Sequence, residues 1–335
     1  MRWRAIVLLL AAVSPAAARG GARSDTDDVA AHVAAARAAA GNEYAELFGL
    51  CDAPDSAPPG PPSAAAPAAS PTRARPPDPP RSEWHAEPVK VFDNLYFVGQ
   101  TGFSAWAVTT SAGIILVDAL WDYSVEDEVV GGLKKLGLDP GAIKYVVVSH
   151  GHADHAGGAS YLQSRFGAHV ILSAADWDLL AHDTDPWPKP RRDRVAADGE
   201  KLRLGDTTLT LYLTPGHTPG TISTLIPVRD GGTPHVVAEW GGTGFNFTVT
   251  PEKPRRYWFE TYIRSARRFR DAAAKAGADV VISNHPRLDG SPAKLAALAR
   301  RRPGEPHPYV VGNDSVKRYL TVAYECAQAG RLRLK

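Results

Sequence analysis

Four side chains able to hold a metal stand within six positions of one another. They are His150, His152, Asp154 and His155, in the run Ser149-His150-Gly151-His152-Ala153-Asp154-His155. An apolar stretch, 145–148, precedes them and reads as a buried strand. Residues two apart on an extended backbone point the same way, so His150 and His152 aim at one place. Asp154 and His155 come after the chain has begun to turn and can aim at a second place nearby. Neutral imidazole nitrogens and a carboxylate oxygen are what a zinc-like divalent cation takes as ligands. A lone histidine pair at this spacing is common on exposed turns; four ligand-type residues at one strand tip point to a metal site.

Two more histidines sit in similar settings. Strand 207–213 leads into Thr214-Pro215-Gly216-His217-Thr218-Pro219-Gly220, where Pro and Gly fix the backbone and present one imidazole rigidly. The short apolar strand 279–283 ends at Asn284-His285-Pro286. Asp118 closes another buried strand, 113–118.

Taken in order, these motifs resemble the signature of the metallo-β-lactamase fold superfamily, and the Asp-His-His grouping resembles its subclass B3. The resemblance runs from about Trp84 to Gly330. It implies an α/β fold, a four-layer αβ/βα sandwich. It implies two Zn2+ ions, the first held by His150, His152 and His217, the second by Asp154, His155 and His285. Asp118 would sit beneath the histidines and fix their orientation. Three neutral histidines leave an open position on the first ion, the mark of a catalytic site. A metal-bound hydroxide would attack a carbonyl, Asp154 would orient it, and no serine or cysteine nucleophile would be needed. The implied activity is B3-like opening of a β-lactam amide. A lactone or thioester is the alternative substrate, and an exported metal-binding protein without catalysis is the alternative from another class.

The sequence departs from the B3 pattern in one segment, 238–245. Hydroxyl side chains that would hold a lactam carboxylate are replaced by glycines and an indole, with Trp240 and Gly242 as the candidate substrate contacts. The aspartate that bridges the metals in thioester and lactone hydrolases of the fold is missing too, and Glu239 could replace it only through a shift of one register position. Arg287, two residues after His285, is a candidate for binding an anionic substrate group. The polar, proline-rich stretch 182–192 reads as a surface loop that could border the site with Trp187.

The elements that must position these residues alternate along the chain. Strands are expected at 89–92, 95–98, 106–109 and 113–118, an antiparallel half-sheet of hairpins. An amphipathic helix follows at 123–136, with Val125, Val129, Leu133 and Leu136 at helical spacing. Beyond the metal strand come helix 155–165, strand 168–172 and helix 174–181. Strands 202–204, 207–213, 222–228 and 235–238, helix 258–276, strand 279–283 and helix 314–329 complete the pattern.

The 335-residue chain is 44% apolar, enough for a large core, and its formal charge of +2 gives no support for a nucleic-acid partner. Residues 1–18 read as a signal peptide: Arg2 and Arg4, a short apolar run, then Ala16-Ala17-Ala18. The expectation is an exported protein, periplasmic or secreted, without a membrane anchor after cleavage and acting on a small molecule. Residues 19–51 read as a helical arm, 52–82 as a Pro/Ala-rich linker and 83–335 as the hydrolase domain. An oxidising compartment permits a Cys51–Cys326 disulfide, with two buried thiols as the alternative.

Overall fold

A computed structural model of the chain describes residues 25–52 and 77–334. The expected leader, 1–18, and most of the expected linker, 53–76, lie outside the described residues.

Hairpins open the domain. β1 (Val89–Phe92), β2 (Leu95–Phe97), β3 (Trp106–Thr110) and β4 (Gly113–Val117) pair antiparallel in chain order. β5 (Ile143–Val147), β6 (His169–Leu172) and β7 (Arg194–Val195) then join in parallel, completing a seven-stranded sheet. Parallel neighbours need crossover connections, which the intervening helical segments supply. The second sheet has five strands. β8 (Glu200–Leu204), β9 (Thr207–Leu213), β10 (Ile222–Asp230) and β11 (Thr233–Trp240) form an antiparallel meander. β12 (Val280–Ser283) returns parallel to β11 after the helix Arg255–Lys275.

Three apolar clusters hold four layers together. Phe97, Trp106, Val147, Leu209, Ile226 and Val280 fill the space between the sheets. Leu116, Val146, Leu162 and Trp177 join the first sheet to its helices. Trp240, Phe259, Phe269 and Tyr319 join the second sheet to the helices Arg255–Lys275 and Asn313–Arg333. Each fully buried large side chain contributes about 1.5–3 kcal/mol of transfer free energy. The layers form the αβ/βα sandwich that the motifs imply.

Some boundaries differ from the sequence reading. The stretch 123–136 holds one π-helical turn, Glu126–Val130, and then the short helix Gly131–Lys135. The wider turn lets Val125, Val129, Val130 and Leu133 all be buried. The helix expected at 155–165 is broken into Ala153–Ala156 and Ala159–Phe166. The break admits the chain that follows β4: a Cβ on Gly158 would lie 2.2 Å from the Ala119 carbonyl oxygen. β11 extends beyond 235–238 and carries Glu239 and Trp240 into the sheet.

The arm is part of the fold. Helix Asp25–Ala40 lies along Asn313–Arg333, and Ala36, Ala40, Tyr44 and Leu47 are buried in the cluster that holds Trp240. A disulfide joins Cys51 to Cys326 across 275 residues of sequence. Closing so long a loop restricts the unfolded chain, and losing a native bridge typically costs roughly 2–5 kcal/mol. Calorimetry of the protein with and without reductant is expected to show a lower Tm on reduction, with the serine double variant at Cys51 and Cys326 matching the reduced wild type and insensitive to reductant.

Candidate metal centre

The six candidate ligands come from three strand ends. β5 lies between two parallel neighbours with Val146, Val147 and Val148 fully buried, so the chain leaves the sheet rigidly into Ser149 and His150. The extended residue His152 starts the turn Ala153–Ala156, which carries Asp154 and His155. His217 follows β9, and His285 follows β12.

These residues meet. Candidate ligand atoms of His150, His152 and His217 lie within 4.8 Å of one another, as do those of His150, Asp154 and His155. His217 Nε2 is 3.1 Å from His150 Nε2 and 3.2 Å from His152 Nδ1. The His155 Nε2 is 3.1 Å from Asp154 Oδ2, and His285 Nε2 is 4.0 Å from the same oxygen. The two groups share His150, whose ring centre is 4.3 Å from that of His155. His285 stands outside both and reaches the second through Asp154; Asp154, His155 and His285 form the second trio.

Proton positions follow from what lies behind each ring. His150 Nδ1 donates to the Gly241 carbonyl at 2.8 Å, and His217 Nδ1 donates to that of Gly244 at 2.7 Å. A carbonyl oxygen only accepts, so each of these rings carries its proton on Nδ1. Their Nε2 atoms then present lone pairs to each other at 3.1 Å, with no proton to share. Burial, followed by neighbouring histidines, pushes the pKa of His217 down to about 3 and that of His150 well below the usual imidazole range. Burial and His155 push His285 down to about 4. Neutral imidazoles with converging lone pairs are the chemistry of a cation site, and this donor set fits a zinc-like ion.

The second trio has a carboxylate on each side of His155. His155 Nδ1 donates to Asp118 Oδ2 at 2.8 Å, and Asp118 also accepts from the Ser149 backbone N–H at 2.6 Å and from Ser149 Oγ at 2.9 Å. His155 Nε2 is buried and has no hydrogen-bond partner of good geometry, an orphaned atom that a cation would satisfy. Burial opposes charge on His155, but Asp154 and Asp118 outweigh it and push its pKa up to about 10. Burial would raise Asp154, yet His155, His285 and His152 hold its carboxyl well below the usual range.

The substrate candidates divide. Gly242 lies against the first trio: a Cβ there would come within 2.7 Å of His217 Cβ. Gly241 cannot take a side chain either, because a Cβ would lie 1.7 Å from the Ile222 carbonyl oxygen. Gly241 and Gly242 are therefore explained by close packing behind the ligands. Trp240 is corrected. Side chains alternate along β11, so its indole is fully buried on the helix side, against Tyr262 and Phe269, and meets no substrate. Arg287 is corrected too: its exposed side chain points to the arm, 4.0 Å from Glu46. Glu239 faces the space between the sheets, 1% exposed, with both carboxylate oxygens unpaired. Trp187 packs at the margin of the first sheet's helical core under the Lys189 ammonium.

Sequence reasoning missed several residues around the site. Asp176 is buried and accepts from the Gly151 backbone N–H at 2.9 Å and from Thr218 Oγ1 at 2.7 Å, tying together the loops of His150 and His217. Asn284 Nδ2 donates to the Gly241 carbonyl at 2.9 Å. The ring of Phe103 lies 5.4 Å from His285 and 6.1 Å from His155. Only Asn284, beside His285, had a neighbour in sequence that could have flagged it.

Comparison with known proteins agrees with this geometry. A family model described as the metallo-beta-lactamase superfamily matches residues 99–230. The solved Rm3 metallo-beta-lactamase is 30% identical, with a TM-score of 0.59 over 71% of this chain and 91% of that one. BJP-1, a subclass B3 metallo-beta-lactamase of Bradyrhizobium japonicum, is 28% identical, with a TM-score of 0.60 over 70% and 89%. A hydroxyacylglutathione hydrolase of Acidiphilium cryptum is 30% identical over 121 residues, 36% of this chain and 43% of that protein. An N-acyl homoserine lactonase, AttM, of Azorhizobium caulinodans is 28% identical over 194 residues, 50% of this chain and 68% of that protein. The matches thus span from less than half to about two thirds of these two curated relatives.

Two outcomes are expected. Asp118→Asn leaves His155 without its carboxylate partner, and equilibrium dialysis against zinc should show roughly 10–100-fold weaker retention of a cation. In the metal-free protein, His217 and His285 have folded pKa values below that of an unfolded histidine. Their contribution to stability is present above about pH 6.5 and is lost as pH falls towards 3–4. Urea melts of the chelated protein should therefore show a falling midpoint between pH 7 and pH 4, and saturating zinc should flatten that decline at its upper end.

Proposed function

From the premise that the chain belongs to the metallo-β-lactamase superfamily, we propose that it is a hydrolase that holds two zinc ions and opens the amide of a β-lactam. The carrying observation is the pair of neutral Nε2 atoms facing each other at 3.1 Å, their Nδ1 protons fixed on carbonyls. His150, His152 and His217 would hold one ion; Asp154, His155 and His285 would hold the other. When bound, such ions supply a water acidic enough to ionise near neutral pH and an electrophile for the carbonyl oxygen.

The chain's own residues do the rest. The Gly241 and Gly244 carbonyls fix which nitrogens of His150 and His217 face the centre. Asp118 does the same for His155 and is itself fixed by Ser149. Asp154 stays ionised throughout the working pH range and offers Oδ2 between His155 and His285, where it can orient the attacking water.

Two features support a lactam over a lactone or thioester. Solved structures of metallo-beta-lactamases are similar over most of the fold. The bridging aspartate that the family resemblance associates with lactone and thioester hydrolases has no counterpart, since Trp240 is buried outward and Glu239 points between the sheets. The curated relatives favour the second reading, a lactone or thioester. A panel of chromogenic cephalosporin, acyl lactone and glutathione thioester, run on zinc-loaded protein, separates the two. Cephalosporin turnover, abolished by chelation and restored by zinc, is expected; turnover of the lactone or thioester alone would replace the first reading with the second.

A further inference from the structure

Three aromatic rings next to the second trio have no part in holding a metal. Phe103 packs on the rings of His155 and His285. Trp121 meets Phe103 edge-on, with ring centres 5.9 Å apart, and stacks nearly parallel to Tyr123 at 5.8 Å and 17°. All three are partly exposed. Tyr123 is backed by Trp84 at 5.7 Å, and the Thr101 backbone N–H donates to the Trp84 carbonyl, so the wall and the loop holding Phe103 are tied together. The chain is bent to put these rings there. Asp118 and Leu120 both have positive φ, 63° and 61°, a conformation that L-residues other than Asn, Asp and Gly rarely adopt. The first kink aims the Asp118 carboxylate at His155, and the second turns the chain so that Trp121 and Tyr123 follow beside the site. Strain of this kind persists where a site requires it.

We propose that Phe103, Trp121 and Tyr123 form a subsite for a planar aromatic substituent of the substrate, next to the carbonyl that is attacked. This rests on the hydrolase reading above and adds the substrate class. No lysine or arginine among the described residues stacks on these rings, so their π-faces and edges are open to an aryl group in offset or edge-on contact, with the Asp122 and Asp154 carboxylates near Tyr123.

The test uses two lactams with one nucleus: benzylpenicillin, which carries a phenylacetyl group, and 6-aminopenicillanic acid, which lacks it. With the zinc-loaded full chain, the ratio of kcat/KM for the first over the second should be well above one. Trp121→Ala should lower that ratio at least about tenfold through KM, with zinc content as in wild type, and Trp121→Phe should recover most of it. An unchanged ratio in Trp121→Ala overturns the subsite. If neither lactam is hydrolysed, the substrate reading fails, and the subsite is then judged by binding. Tryptophan fluorescence titrations of wild type should show N-phenylacetylglycine binding at least about tenfold tighter than N-acetylglycine, with the preference lost in Trp121→Ala. Equal binding of the two by wild type also overturns it.

Discussion

The centre depends on where two protons sit. Two imidazole nitrogens face each other at 3.1 Å, and the proton that could turn this contact into a hydrogen bond is held on the far side of each ring by a backbone carbonyl. Burial keeps both rings neutral near neutral pH, so both Nε2 lone pairs stay available to a cation. The backbone carbonyls behind the rings set which nitrogens converge. Gly241 and Gly244 belong to the chain just after β11, which at Gly241 and Gly242 packs too closely on Ile222 and His217 to carry a side chain. The segment that follows β11 is thus organised behind two protons.

The same logic explains the strained segment after β4. A positive φ is rare for a leucine and less so for an aspartate, and Leu120 and Asp118 both adopt it. Several contacts offset this. The Asp118 backbone N–H donates to Val147, the Ala119 N–H to the His155 carbonyl, and the Leu120 carbonyl accepts from Gly158. Leu120 is fully buried, and the close approach of Ala119 to Gly158 leaves no room for a side chain. The segment therefore locks the metal loop from below while it delivers aromatic rings to the side of the site.

What could be read in the sequence follows from how local each signal is. The run from His150 to His155 is contiguous and sits at a strand tip, so backbone geometry alone groups its members. His217 and His285 lie at strand ends marked by Pro and Gly, and their place beside the first motif followed from the family resemblance. The layer order was legible because the alternation of strands and helices is strong in both halves. Trp240 was misread because a strand residue's face depends on register parity, and β11 runs two residues past the end its apolar pattern suggested. Arg287 was misread because nearness in sequence to a ligand does not set direction, and the 310 turn Pro286–Asp289 swings its side chain to the arm. Asp176 and the wall of Phe103, Trp121 and Tyr123 had no local signature, since their partners are distant in the chain.

The arm and the His285 loop are mechanically one unit, and their contacts give the reason. The loop after β12 is held from inside by Asp289, whose carboxylate accepts from the backbone N–H groups of Ser283 and Ser291 at 2.6 and 2.7 Å. Burial pushes that carboxyl up to about 6 against the pull of the Lys294 ammonium and the backbone donors, so the anchor is sensitive to what seals it. The seal is the arm. Helix Ala45–Phe48 packs on the turn Pro286–Asp289, and Glu43 lies beside Gly290 while it pairs with Arg318 and Ser315. Tyr44 stacks edge-on against Tyr319 at 5.2 Å and bonds Ser315, and the disulfide from Cys51 fastens the end of the segment to the last helix. An element far from the metal histidines in sequence thus packs on the turn that follows one of them, so the loop carrying His285 is held by the arm as well as by β12.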